Sequence, residues 1–252
     1  MNWAELWHSG TDLYRAGLIG VAVFGVSAFL LLFFVSAPYG RHHRAGWGPS
    51  ISARSGWVLM EAPSFIGFIG FAWFMQLGGL ALAMGLLFIL HYLYRAFIFP
   101  FRMKGGGKPK PLLTVGLAVL FNTVNGAANA YDLARVSEWS VTWVGVGVAL
   151  FVLGAAINHH SDAVLLRLRA PGETGYKVPY GGLYRLVSAP NYLGEIIQWI
   201  GFAVATATPA AALFAAFTVC NLMPRAHSHH RWYHEQFSDY PDERKRLIPW
   251  IW

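Results

Sequence analysis

Long apolar runs alternate with short polar stretches along the whole chain, and their lengths predict helices that cross a membrane. A spanning helix needs about 20 predominantly apolar residues. Seven segments meet or approach that length, at 16–37, 57–77, 80–101, 111–134, 139–158, 191–206 and 209–223, the last two being short. Gly78 with Gly79 marks one tight connection and TATPA at 206–210 another, since Gly and Pro supply the backbone conformations that abrupt turns need.

The polar segments set the orientation. All but two of the 19 lysines and arginines follow the first, third, fifth or seventh span or, for Arg95, sit in the last turns of the third, Arg15 and Arg135 being the exceptions. Basic residues collect on the cytoplasmic side, which puts the N-terminus outside and the C-terminus in the cytoplasm. The expected fold is all-α: a polytopic membrane protein of seven transmembrane helices, forming one domain over residues 1–252. The first residues lack the basic, apolar and small-residue order of a leader, so neither a cleaved leader nor a soluble domain is expected.

Composition narrows the class further. The chain is 56% hydrophobic and only 12% charged, outside the range of ordinary soluble domains. Its net charge of +7 is scattered between apolar spans, so membrane topology accounts for it and no nucleic-acid partner is expected. The single cysteine, Cys220, leaves disulfides no role within the chain.

Placed on the spans, the polar residues converge. Glu61 falls one turn into the second span, His91 and Tyr92 late in the third, and Asn122 and Asn125 within the fourth. Asn158 and Asp162 close the fifth, Asn191 and Glu195 open the sixth, and Arg225, His227, His229 and His230 follow the seventh. All but the mid-span asparagines lie in the half facing the cytoplasm. Ionisable groups in hydrocarbon are costly and mark functional cavities, so this half is read as a pocket. Its rim offers Arg167, Arg169, Tyr176, Lys177, Arg185, Arg225 and Arg231. Guanidinium forks match phosphate geometry, which suits a large phosphorylated ligand.

Other patterns take plainer readings. GVGVALFVLG at 145–154 is partly in step with a dinucleotide fingerprint, but it lies inside a span with no strand before it and is read as helix packing by small residues. No metal site is expected from HSHH at 227–230 or from the HH pairs at 42 and 159, because no carboxylate or cysteine stands at ligand spacing. DERKR at 242–246 is read as a solvated face. Asn122 and Asn129 are read as hydrogen bonds between helices.

Several ordered motifs carry a family resemblance. MEAPSF at 60–65, LHYLYRAF at 90–97, NG at 125–126, INHHSDAVLLRLRAPGETGYKVPYGGLY at 157–184, NYLGEIIQWIGFA at 191–203, RAHSHHRWYHEQFSDYP at 225–241 and RKRLIPWIW at 244–252 together resemble the steroid 5α-reductase family from about residue 57 onward. Only YGRH at 39–42 extends the resemblance toward the first span. It implies a seven-helix membrane enzyme that uses NADPH to reduce the carbon–carbon double bond of 3-oxo-Δ4 steroids. By the same resemblance Glu61 and Tyr92 face the substrate ketone, with Trp57 lining the same wall. Asn158, Asp162, Arg169, Tyr176, Asn191, Glu195, Arg225, His229 and Tyr233 surround the cofactor, in a C-terminal half of about 111–252. Glu195 would meet the nicotinamide end; as a structural alternative it would pair with Arg225 or His229.

The substrate implied is a steroid or similar enone lipid dissolved in the bilayer, and the protein is expected to be a monomer. A bacterial inner membrane is favoured, or the endoplasmic reticulum for a eukaryotic source, with the site facing the cytoplasm. Met60 stands where the family often has a polar amide and Gln198 where it often has an acid, and HSHH departs at its second residue. Substrate preference is therefore the most exposed expectation. The alternatives are a reductase of trans-2-enoyl thioesters and a membrane methyltransferase of the isoprenylcysteine type.

Overall fold

The computed structural model describes residues 3–168, 170, 173 and 175–252. Arg169, one of the expected cofactor residues, lies outside the described residues. The chain folds into helices α1 (Trp3–His8), α2 (Asp12–Phe34), α3 (Ala53–Phe74), α4 (Gly79–Leu93), α5 (Phe99–Arg102), α6 (Leu112–Leu133), α7 (Val141–Arg167), α8 (Pro190–Thr206) and α9 (Pro209–Gln236). One short antiparallel pair, β1 (Ser50–Ser52) with β2 (Pro109–Pro111), ties the start of α3 to the start of α6.

Five stretches are long and apolar enough to cross a membrane: Asp12–Phe34, Ala53–Phe74, Gly79–Arg102, Leu112–Leu133 and Val141–Arg167. The all-α multi-pass class therefore holds. The two short spans at the end of the chain differ for physical reasons. α8 has 17 residues and turns much of its surface inward, and α9 carries a polar second half.

Two helices run further than the apolar pattern suggests. α7 continues to Arg167, so Asp162 is helical rather than terminal. α9 passes through Pro224 to Gln236, and its far half buries Ala226, Ser228 and Tyr233 against the rest of the protein. This extension puts Arg225, His229 and Tyr233 at intervals of four, along one face of a helix.

The turns follow their residues. Gln76 and Gly79 take positive φ between α3 and α4, and Ala207 closes α8 at φ 49°. Thr208 then caps α9 by accepting from the Ala211 amide, with Pro209 in the first turn where its missing N–H is not needed. At the same end Asp132, fully buried, accepts from the Ala210 amide at 2.9 Å and from the Tyr14 hydroxyl at 2.9 Å.

α7 and α8 meet through glycines. A Cβ added at Gly147 or Gly154 would collide with α8 backbone, and one added at Gly194 or Gly201 with α7 backbone. Gly147 and Gly154 within 145–154 thus pack a helix, as their place in a span predicts. Phe68, Phe88, Trp199, Phe202 and Phe214 form the centre of the core above the site. One expectation is corrected: within DERKR, Arg244 is buried, donating to the Pro179 carbonyl at 3.0 Å between the rings of Tyr180 and Tyr240.

Candidate functional site

The expected site residues that are described gather at one end of the bundle in three groups, each built on different helices. The first surrounds Tyr92 near the end of α4, which is 3% exposed. Asn125 Nδ2 donates to its hydroxyl at 3.1 Å, and the hydroxyl donates to Asn122 Oδ1 at 3.3 Å. Ser64 Oγ donates to the same Asn122 Oδ1 at 2.8 Å and accepts from Asn125 at 3.3 Å. Asn122 Nδ2 also donates to the Met60 carbonyl at 2.6 Å, joining α6 to α3 as expected of a hydrogen bond between helices. Asn129 differs, because its amide bonds to Asn125 on its own helix at 2.9 Å.

Glu61 and Trp57 lie one turn apart on α3. Glu61 is within electrostatic reach of the Tyr92 phenol, yet among the described residues it makes no hydrogen bond. The rings of Phe88 and Trp199 stand 4.7 and 6.0 Å from Tyr92 and close the inner side.

The second group joins α7 to α8. Asn158 Nδ2 donates to the Asn191 carbonyl at 2.9 Å, and Asn191 Nδ2 donates to Asp162 Oδ1 at 3.2 Å. Arg95 crosses from the opposite side, 3.3 Å from Glu195 Oε2 and 3.7 Å from Asp162 Oδ2. Glu195 therefore pairs with Arg95 and not with Arg225 or His229. Arg95 sits on a π-helical turn, Tyr94–Ile98. Pro100 lacks the N–H that an α-helical turn would use, and the ladder shifts so that the Phe99 amide bonds to the Tyr94 carbonyl.

The third group follows the face of α9. His229 stacks on His42 at 5.3 Å and lies 2.9 Å from the Tyr192 hydroxyl, while Arg225 donates to the Tyr39 hydroxyl. Tyr233 is buried, and the Arg41 guanidinium faces it and Trp232 at 4.8 Å each, with Tyr176 at 5.4 Å. Ser36, Tyr39, His42, Tyr192, Arg225 and His229 help to line a small cleft of about 30 Å³.

Cations join the three groups. Arg95 lies over the Trp57 ring at 4.7 Å, tying the first group to the second. Lys110 lies over both Trp57 and Tyr39, tying the first to the third. The third group is donor-rich. Among the described residues Arg41 Nη1 and Arg225 Nε are buried without a partner, as is Trp57 Nε1 in the first group. Burial pushes His42 down to about 4, and Arg41, Arg231, Arg44 and Arg225 act in the same direction, the mark of a positive local field. Unsatisfied guanidinium donors in such a field fit a phosphate-bearing ligand.

Arg41, Arg95, Ser64 and Lys110 were not singled out as site residues from the sequence. Arg95 had a readable signal, being three residues after Tyr92 and so on nearly the same helix face. Lys110 had none, since it reads as one more loop cation.

A family model described as 3-oxo-5-alpha-steroid 4-dehydrogenase matches residues 108–252. The chain is 40% identical over 242 residues to the Bos taurus protein named 3-oxo-5-alpha-steroid 4-dehydrogenase 1, covering 90% of this chain and 92% of that one. It is 41% identical over 249 residues to the Rattus norvegicus protein named 3-oxo-5-alpha-steroid 4-dehydrogenase 2, covering 94% and 95%. The Homo sapiens protein named 3-oxo-5-alpha-steroid 4-dehydrogenase 1 is 39% identical over 229 residues, covering 84% and 85%.

Proposed function

The chain belongs to the 3-oxo-5-alpha-steroid 4-dehydrogenase family, and from that premise we propose that it reduces the carbon–carbon double bond of a 3-oxo-Δ4 steroid with NADPH. It is an oxidoreductase acting on a carbon–carbon double bond of steroids. The observation that carries the finer reading is the buried Tyr92 hydroxyl, held beneath an aromatic wall by two amides that Ser64 links.

A nicotinamide cofactor, when bound, supplies the hydride for the β-carbon of the enone. Arg41 and Arg225 have the free donors to hold its phosphates, with Arg169 and Tyr176 assigned to the same task by resemblance. The surplus of cationic donors favours the additional phosphate of NADPH over NADH. Asn158, Asp162, Asn191, Glu195, His229 and Tyr233 complete its surroundings, with Glu195 assigned to the nicotinamide end.

As hydride arrives, negative charge builds on the ketone oxygen. Tyr92 offers its phenolic hydrogen there, a donor fixed in place before the charge forms. Its present bond to Asn122 spans 3.3 Å, near the long limit for an O–H donor, and is therefore readily exchanged for a closer oxyanion. Asn125 holds the phenol oxygen while its hydrogen turns, and Ser64 fixes the two amides by donating to Asn122 and accepting from Asn125. Glu61 and Trp57 form the substrate wall, and the Phe88 and Trp199 rings exclude water from the reacting carbon. The steroid is taken to enter from the bilayer and the cofactor from the cytoplasm, with one chain sufficing for the reaction.

The deciding experiment is NADPH oxidation by the purified protein with a 3-oxo-Δ4 steroid and, separately, a trans-2-enoyl thioester. Formation of the 5α-3-oxo product supports the proposal. Turnover of the thioester alone, or binding of S-adenosylmethionine in place of NADPH, overturns it.

A further inference from the structure

Lys110 is buried at the edge of the site, and among the described residues no oxygen partners its charge. It is 2% exposed, at the centre of β2. Its stem crosses the open face of Gly56, where an added Cβ would stand 3.0 Å from the lysine Cδ. The ammonium ends 3.1 Å from Met60 Sδ, with the Trp57 and Tyr39 rings 4.6 and 4.8 Å away. A thioether is a weak acceptor, and ring faces offset only part of a buried charge. Among the described residues Lys110 makes no direct ion pair.

The charged groups acting on it come from three elements: Glu61 on α3, Arg95 on the π turn and Arg225 on α9. Arg95 is engaged by Asp162 and Glu195, and Arg225 donates to Tyr39. Glu61 alone has the opposite sign, and among the described residues it makes no hydrogen bond of its own; Arg95, Glu195 and Arg225 act on it as well, but Arg95 is already held by two other carboxylates. A buried ammonium and a half-buried carboxylate in each other's field lower the cost of both.

We propose that Lys110 is the counter-ion of Glu61, a positioning residue that fixes the charge and direction of the carboxylate at the ketone end of the site. The proposal rests on the reading of Glu61 as a ketone-end residue. Burial brings Lys110 down to about 8, Arg225 and Arg95 act in the same direction, and Glu61 opposes them. Its charge is thus present at neutral pH and lost as pH rises through about 8.

The test is steroid turnover at saturating NADPH as pH is raised through that range, in wild type, Lys110→Met, Lys110→Arg, Glu61→Gln and the double variant Lys110→Met/Glu61→Gln. Wild type loses kcat on the basic side near pH 8. Lys110→Met loses roughly tenfold in kcat, a size common for coupled neighbours, and lacks that basic limb. Lys110→Arg recovers most of kcat and moves the limb to higher pH, because a guanidinium stays charged.

In the Glu61→Gln background, Lys110→Met costs nothing further. An equal loss in both backgrounds, or an unchanged kcat and pH profile in Lys110→Met, overturns the proposal. Should Lys110→Met not fold, the Lys110→Arg profile decides, and an unmoved limb overturns it. Full activity of Glu61→Gln alone removes the ketone-end reading of Glu61 and the proposal with it, which separates the two failures.

Discussion

Asn125 donates a hydrogen bond to the Tyr92 hydroxyl over 3.1 Å, from the middle of α6 to the end of α4. Because the phenol oxygen accepts here, its one hydrogen is left for another oxygen. Tyr92→Phe keeps the ring among Phe88, Trp199 and Phe214 and removes only that hydrogen. Turnover should fall about 10²- to 10³-fold, the usual effect of losing an oxyanion donor, with NADPH affinity nearly unchanged. Single-turnover hydride transfer at saturating NADPH measures this, and a near-normal rate would leave Tyr92 as a packing residue.

The glycines of α7 separate a packing role from a bystander within one motif. Gly154 presses on α8 backbone, whereas nothing lies within 4 Å of a Cβ built on Gly145. Gly154→Ala should destabilise by about 1–3 kcal/mol through overpacking. Gly145→Ala should stabilise by roughly 0.5–1 kcal/mol, because alanine loses less freedom than glycine on entering a helix. Thermal unfolding of the two variants in detergent tests the pair, and equal midpoints would show that the α7 and α8 backbones are not in close contact.

These glycines also show what the sequence made legible. Lipid-facing helices must be apolar over their length, so most spans could be read directly, and small residues inside a span point to close packing. The far half of α9 was hidden because Pro224 and the polar residues after it look like a stop. Only the protein around it, Tyr39, Arg41 and Tyr192, makes burial of that polar face favourable. Lys110 was hidden for a related reason. A cation beside a membrane reads alike whether it faces headgroups or turns inward, and the difference depends on residues far apart in the chain, such as Gly56 and Tyr39 for Lys110.

Burial of His42, together with the positive field around it, predicts a pH effect on stability. Its folded value, about 4, lies below the ordinary 6.5, so the folded protein resists the proton that the unfolded chain accepts. The stability tied to this group is complete above about pH 6.5 and is lost as pH falls toward about 4. His42→Gln removes the titration. Unfolding midpoints should therefore fall less steeply in the variant across that window, and parallel curves would refute the assignment.

The last prediction concerns Arg95, whose guanidinium lies 3.3 Å from Glu195 and 3.7 Å from Asp162. Arg95→Met leaves two nearly buried carboxylates without their cation, a change that costs about 3–5 kcal/mol when a buried pair is broken. Adding Glu195→Gln removes one of the stranded charges and should return part of the stability. The same double variant separates the two roles open to Glu195. If the carboxylate also meets the nicotinamide end of the cofactor, NADPH affinity stays low even though the fold is repaired, and Glu195→Gln alone binds NADPH poorly while folding well. Recovery of stability and NADPH affinity together would make the Arg95–Glu195 pair a purely structural clamp between the π turn and α8. Thermal unfolding and NADPH titration of the same preparations distinguish these outcomes, because stability reports the charge balance and titration reports the ligand contact.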